Sequence, residues 1–276
     1  MTPCSVVTRF APSPTGFLHL GHAHSALFAF ETARAAGGRF LLRIEDIDPG
    51  RCRPEFTEAI FEDLAWLGLE WEEPVRRQSE HLHDYRAALA RLEGLGLLYP
   101  CTCTRKEIMD EIARAPRAPH GPEGVLYPGT CRGRPMAAGK EAALRLDIAK
   151  ALALAGPLTW RDREAGIVRA DAALFGDVVL ARKDVPTSYH LSVALDDHLQ
   201  GVSLVTRGMD LFEATHVHRL LQALLGLEVP GYHHHRLLVG EDGRRFAKRD
   251  RSLALRSLRA AGHSPQEVRR MVGFSM

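Results

Sequence analysis

Ser5-Val6-Val7-Thr8-Arg9-Phe10, Ala11-Pro12-Ser13-Pro14-Thr15-Gly16 and Phe17-Leu18-His19-Leu20-Gly21-His22 follow one another without a gap, and their reading decides the fold. The first six residues are a short apolar run rich in β-branched side chains, which predicts a strand. Two prolines and a glycine among the next six predict a loop. Beyond it Ala23, Leu27, Phe30 and Arg34 recur at a helical period, which Gly37-Gly38 ends. Phe40 to Asp46 then alternates, with Phe40, Leu42 and Ile44 on one face and Leu41, Arg43 and Glu45 on the other. Strand, helix and charged-ended strand in close succession predict a βαβ unit, hence an α/β chain with a parallel sheet at its core.

Further helices are predicted over Pro54–Leu67 and Glu80–Leu97. From Tyr99 to about Gly139 the chain is rich in Pro, Gly and Cys with little periodicity, as in an insertion that needs a staple. Short strands are expected at Ala143–Ile148 and Asp177–Ala181, an apolar run covers Leu191–Leu195, and a strand Val202–Arg207 precedes a core helix Glu213–Leu225.

Composition narrows the class. In 276 residues, 45% are hydrophobic and 25% charged, enough for a real core and incompatible with disorder or collagen. A formal charge of +2 excludes a global basic field, although Arg244 to Arg270 is locally basic. No stretch approaches the roughly 18 apolar residues of a membrane span, and the N-terminus has no apolar signal segment, so no membrane partner is expected. Five cysteines, an odd number with Cys101 and Cys103 one residue apart, suggest a reducing cytoplasm and metal or free thiols rather than disulfides.

The junction of the first loop and helix is where an α/β sheet offers helix N-terminal amides to anions. His19 and His22 would bring two imidazoles to a triphosphate, and Gly21 would let a nucleotide approach the backbone. The bland alternative is that both histidines merely cap the helix or lie on the surface. Dinucleotide and P-loop fingerprints are absent, since Gly94-Leu95-Gly96 lacks the third glycine and the position. Arg9, Glu45 and Arg207 end predicted strands and so can meet at the sheet's carboxyl edge. Cys101, Cys103 and Cys131, with the Tyr127 phenol, can complete a zinc tetrahedron, with His120 as the other candidate for the fourth ligand. The alternative there is reduced thiols, which is also the reading for Cys4 and Cys52. His233-His234-His235 cannot easily grip one ion, because neighbours on an extended segment point to opposite sides.

Taken in order, Arg9, the Pro12–Gly16 loop, His19–His22, Arg43-Ile44-Glu45-Asp46, Tyr189-His190, Asp196-Asp197, Arg207-Gly208-Met209-Asp210 and Arg245-Phe246-Ala247-Lys248-Arg249 resemble the glutamyl-type class I aminoacyl-tRNA synthetases. His19–His22 stands at that family's HIGH motif and Arg245–Arg249 at its KMSKS signature. The resemblance implies a Rossmann-like catalytic domain whose first half is 1–98, an inserted zinc-containing subdomain at 99–185, a second half at 186–240, and a signature loop with a short helical tail at 241–276. Only 27 residues follow Arg249, too few for an anticodon-binding domain. The resemblance is therefore to the truncated glutamyl-queuosine tRNA(Asp) synthetase branch, which also shows the Cys-x-Cys…Tyr-x-x-x-Cys arrangement. A cytoplasmic monomer is expected, with ATP, L-glutamate and queuosine-bearing tRNA(Asp) as partners.

That resemblance carries roles. Arg9 and Arg207 would hold substrate carboxylates, Glu45 the α-ammonium, and Tyr189 and Ser13 would complete the glutamate pocket. His19, Gly21, His22 and Lys248 would bind ATP with its Mg²⁺, Lys248 neutralising the pyrophosphate. Arg245 and Ala247 depart from the signature's lysine and serine, removing one hydroxyl, and Met209 stands where relatives often carry Glu. Those departures keep open a second reading, a non-catalytic paralogue that binds glutamate or tRNA. The shared H-x-G-H opens a third, a small-molecule nucleotidylyltransferase, against which Arg9, Glu45, Tyr189 and Arg207 argue together. The histidine triplet would precede the signature loop, near the adenine.

Overall fold

Strand β1 (Val7–Phe10), helix α1 (Leu20–Ala35) and strand β2 (Arg39–Ile44) form the opening βαβ unit in the computed structural model, which describes residues 5–114, 120–134, 141–238 and 254–274. β1 and β2 pair in parallel from Val7 opposite Arg39 to Phe10 opposite Leu42. Both faces of β2 are buried from Phe40 to Ile44, as in a parallel sheet covered on two sides. The return turn depends on its glycines. Gly37 has φ +58°, and a Cβ on Gly38 would lie 2.0 Å from the Val6 carbonyl oxygen.

α2 (Pro54–Trp66) starts with its proline in the first turn, where the missing N–H costs nothing. β3 (Glu72–Arg77) adds a third parallel strand that hydrophobic patterning misses, because four of its six residues are charged and it lies at the sheet edge. α3 (Leu82–Gly94) is shorter than expected: Gln78–His81 forms a 3₁₀ turn, and Gly96 at φ +68° ends the run.

Next come β4 (Leu98–Cys101), α4 (Arg105–Arg114), the tiny hairpin β5 (His120–Gly121) with β6 (Gly124–Val125), and β7 (Ala143–Leu146). β7 stops before Ile148 because the Asp147 carboxylate accepts from Lys150 N (3.2 Å) and starts α5 (Ile148–Ala155). β8 (Thr159–Asp162) and β9 (Gly166–Arg169) follow, then β10 (Val179–Ala181). Within 99–185, β4, β7 and β10 make their own antiparallel sheet, whereas β8 pairs in parallel with the later strand β12 (Gly231–His235). The apolar run at Leu191–Leu195 is helical, part of α6 (Tyr189–Leu199). Its residues from His190 to Asp197 are all buried, so no amphipathic stripe marks it.

β11 (Leu204–Gly208) pairs in parallel with β12, and α7 (Ala214–Leu225) connects them. β1 and β11 abut: Ser203 N donates to Val7 O (3.0 Å), and Val7 N donates to Ser203 Oγ (2.9 Å). From this seam the chain winds outward through β1, β2 and β3 on one side and β11, β12 and β8 on the other. Such a switch point leaves a crevice at the strands' carboxyl ends. Val7, Leu41, Trp160, Val205 and Tyr232 form a small apolar cluster at the seam. α8 (Leu255–Ala260) and α9 (Pro265–Met271) pack Leu255, Leu258 and Val268 into the same core as Leu27 and Ile60. Among the described residues no helix is long and apolar enough to cross a membrane.

Candidate active site

A cavity of about 470 Å³ opens at the seam, between the ends of β1, β2 and β11 and the start of α1. Arg9, Ser13, Glu45, Tyr189 and Arg207 line one part of it, and His19, Gly21 and His22 another. Every glutamate- or nucleotide-contact residue expected from the sequence is therefore brought to this one place, except Lys248. Lys248, Arg245 and Ala247 lie outside the described residues, as does Cys4.

The floor is a buried charge network that single-residue roles did not anticipate. Arg9 donates from Nε and Nη2 to the two Asp197 oxygens (2.9 and 3.2 Å), and from Nη1 to the Thr206 carbonyl (3.2 Å). Arg43, which is 0% exposed, donates from Nη1 to Asp197 (2.8 Å) and from Nη2 to Glu45 (3.1 Å). Burial pushes the Asp197 carboxyl up, but Arg9 and Arg43 more than reverse this and hold it below the usual carboxylate range. Burial acts the same way on Glu45, and there Arg43 and Arg9 only partly offset it, so its pKa stays raised. A substrate ammonium would supply the remaining countercharge.

Arg207 is also buried, yet among the described residues it touches no carboxylate. Its Nε donates to His234 Nε2 (3.1 Å), Nη1 to His218 Nδ1 (3.2 Å) and Nη2 to Thr215 Oγ1 (2.6 Å). Burial and then the Arg207 charge push His234 down to about 4, although Asp162, 2.8 Å from its Nδ1, pulls the other way. Three neutral acceptors orient the guanidinium without neutralising it, leaving its charge for an incoming carboxylate. His218 and Thr215 were hidden on a helix that reads as plain core. His234 belongs to the triplet: His234 turns inward to Arg207, while His233 faces Phe28 and Glu164 and His235 lines the cavity. The period-two alternation of a strand is the signal that separates them.

At the other end His19 is the N-cap of α1, so the capping reading of the histidine pair holds. Gly21 N donates to His19 Nδ1 (3.1 Å), His19 N donates to His22 Nδ1 (3.2 Å), and the rings stack with centroids 3.8 Å apart. Each Nδ1 accepts, so a neutral ring at either position carries its proton on Nε2. Gly21 has a second reason to be glycine, since a Cβ there would lie 3.0 Å from the His19 ring. Of the basic tail, Arg256 stacks over Phe17 (4.2 Å) and Arg259 pairs with Glu62 (3.0 Å), so both fasten α8.

The cysteines converge elsewhere. The sulfurs of Cys101, Cys103 and Cys131 lie within 4.8 Å of one another, and Tyr127 Oη is 3.4 Å from Cys101 Sγ and 3.7 Å from Cys103 Sγ. A tetrahedral zinc with Zn–S near 2.3 Å requires S···S of about 3.8 Å and S···O of about 3.5 Å, so the donor set fits. Burial pushes the Cys103 thiol up to about 11, while Cys131, despite burial, is drawn down to about 6 by hydrogen bonds from Tyr127 and its neighbours. The Arg145 guanidinium stacks over the Tyr127 ring (3.8 Å), while burial and then the neighbouring thiols push the phenol pKa well up. His120 does not join the cluster. Cys52 is a free thiol apart from it.

Comparison with known proteins agrees with this geometry. The family described as tRNA synthetases class I (E and Q), catalytic domain, matches residues 5–274. A "Glutamyl-Q tRNA(Asp) synthetase" of Rhodobacter capsulatus is 53% identical over 98% of this chain and 100% of its own length. One of Symbiobacterium thermophilum is 45% identical over 94% of this chain and 83% of its own length. The crystal structure of a glutamate tRNA ligase from Elizabethkingia meningosepticum, in complex with its amino acid, superposes with a TM-score of 0.80 at 25% identity. That match covers 98% of this chain and 61% of the ligase. The chain belongs to the class I tRNA synthetases (E and Q), and within them to the glutamyl-Q tRNA(Asp) synthetases.

Because Arg43 joins Glu45, Asp197 and Gln200 without reaching solvent, Arg43→Ala strips buried Glu45 of its arginine partner and leaves Asp197 to Arg9 alone. Urea unfolding should show a loss of about 3–5 kcal/mol. A loss under about 1 kcal/mol would mean that the network does not organise the site.

Proposed function

We propose that this chain activates L-glutamate with ATP and transfers the glutamyl group to the queuosine base at the first anticodon position of tRNA(Asp). The observation that carries the first half is Arg207, a buried cation held by neutral partners and facing the same cavity as Arg9, Glu45 and Tyr189. The second half rests on the resemblance to the glutamyl-Q branch.

Activation is an in-line displacement: the glutamate α-carboxylate forms a bond to the α-phosphorus while the bond to pyrophosphate breaks. It needs positioning and charge neutralisation rather than a protein nucleophile. Arg9 and Arg207 hold the carboxylates and Glu45 the ammonium, each charge-assisted contact worth about 1.5–3 kcal/mol. An apolar wall separates Asp from Glu by only about 1–3 kcal/mol, so the reach from carboxylate to arginine sets selectivity. Ser13 and Tyr189 close the pocket, His19 and His22 donate to phosphate beside Gly21, and Lys248 neutralises the departing pyrophosphate. Mg²⁺ bound with ATP supplies further charge neutralisation. Zinc held by Cys101, Cys103, Tyr127 and Cys131 staples the insertion. In this reading 1–98 and 186–240 make the catalytic unit, 99–185 the insertion and 241–276 the signature loop and tail.

Glutamate-dependent pyrophosphate exchange into ATP should proceed without added tRNA, and Lys248→Ala should slow it by about 10²-fold. Absence of exchange in the parent protein would favour the non-catalytic paralogue; an unchanged rate in the variant would remove Lys248 from the mechanism.

Metal analysis of untagged protein should find one zinc per chain, abolished by Cys101→Ser with Cys103→Ser. Stability or tRNA transfer should fail in that variant before glutamate activation does. Full zinc retention would move the site away from these cysteines.

RNA loops splay their bases for individual reading, so an anticodon loop can itself enter an active site. Radiolabelled glutamate should label tRNA from queuosine-making cells and not from queuosine-deficient cells, with little charging of tRNA(Glu). Equal labelling of both pools, or label retained on a fragment holding only the 3′ end, refutes the acceptor.

A further inference from the structure

Arg207 continues outward through two histidines to the surface of the insertion. Its Nη1 donates to His218 Nδ1 on α7 (3.2 Å), and His218 Nε2 lies 3.2 Å from His190 Nδ1 on α6. His190 Nε2 is 3.2 Å from Glu123 Oε1, in the turn between β5 and β6. We propose that His218 and His190 are positioning residues that make the Glu123 turn control how Arg207 is presented to its carboxylate ligand. This rests on the reading of Arg207 as the cation for glutamate.

The chemistry of the two ends dictates the middle. A guanidinium can only donate, and an ionised carboxylate can only accept. One proton arrangement of two neutral imidazoles satisfies all three bonds: each ring accepts at Nδ1 and donates from Nε2. Burial and the neighbouring Arg207 charge keep His218 neutral, and the hydrogen bond from His190 keeps Glu123 ionised despite its partial burial. The rings are fenced as well. Phe175 meets His190 edge-on at 5.9 Å, and Tyr189, itself in the glutamate cavity, meets His218 at 5.6 Å.

The histidines are 6% and 2% exposed, whereas the Glu123 side chain is 60% exposed, so Glu123 is the end that can be altered without disturbing the core. Without its carboxylate, only Arg207, acting through His218, still favours the His190 proton on Nε2. A proton on His190 Nδ1 would confront the Nε2–H of His218. Reversing that ring in turn would point an N–H at Arg207, which then loses its Nη1 acceptor. Glutamate affinity would fall while phosphoryl chemistry at the other end of the cavity continued.

The test is steady-state glutamate-dependent pyrophosphate exchange together with side-chain ¹⁵N NMR of histidine-labelled protein. Glu123→Ala should raise the glutamate KM about three- to tenfold, the scale of one net hydrogen bond, with kcat changed less than about twofold. Glu123→Gln, whose amide oxygen still accepts, should recover part of the loss, and adding His218→Ala to Glu123→Ala should have less than its separate effect. Both His190 and His218 should be Nε2–H tautomers in the parent, with at least one changed by Glu123→Ala. An unchanged KM with unchanged tautomers overturns the relay, as does a fall in kcat matching the rise in KM. If the parent shows no exchange, the reading of the site fails separately, and the tautomers of the Glu123→Ala variant alone decide the relay.

Discussion

Asp197 accepts hydrogen bonds from both Arg9 and Arg43, and this shared buried carboxylate constrains the rest of the site. It comes from the end of α6, whereas its partners come from β1 and β2, so a single anion fastens the helix to two parallel strands at their carboxyl ends. Its neighbour Asp196, fully buried, does the same for the sheet edge, accepting from Arg76 on β3 and from Gln78 and Tyr85. Removing such groups from water costs several kcal/mol per ion, which is recovered only when the lone pairs and protons are met. The network is therefore intolerant of displacement, and the cavity above it inherits that rigidity.

The electrostatics of the cavity follow from how unequally its two arginines are treated. Arg9 faces a carboxylate directly, its guanidinium bonded to Asp197 and to the Thr206 carbonyl. Arg207 is oriented by His218, His234 and Thr215, and the nearest anions on those paths, Asp162 and Glu123, stand behind a histidine. Neutral acceptors fix the direction of a guanidinium while leaving its field largely intact. A carboxylate entering the cavity meets one cation already balanced and one still available. At the helix end, stacked His19 and His22 cap α1 through Nδ1.

Residues 99–185 are joined to this centre by a shared apolar core, in which Leu146, Phe175 and Leu180 pack with Leu191, Leu220 and Leu221. The Cys101, Cys103 and Cys131 thiols cluster with Tyr127, and Glu123 in the β5–β6 turn reaches His190. A second cavity, lined by Tyr127, Arg145, Glu123 and His190, lies between the two.

Residue order alone determined the parts that local chemistry can encode. The β-branched run before Pro12, the helical period after His19 and the glycines at 37 and 38 specified a βαβ unit, because strand, turn and helix preferences act over a few residues. Arg9, Glu45 and Arg207 were legible for the same reason, each ending a strand. Charged β3 escaped because an edge strand needs no apolar face, and α6 showed no helical stripe because it is buried all round. Only the tertiary structure decided which charges meet. Arg43 with Asp197, Arg207 with His218 and His234, and His190 with Glu123 are joined across 154, 11, 27 and 67 positions respectively. Those pairings have no local signature: the strength of a buried ion pair or hydrogen bond depends on the burial and partners that folding creates.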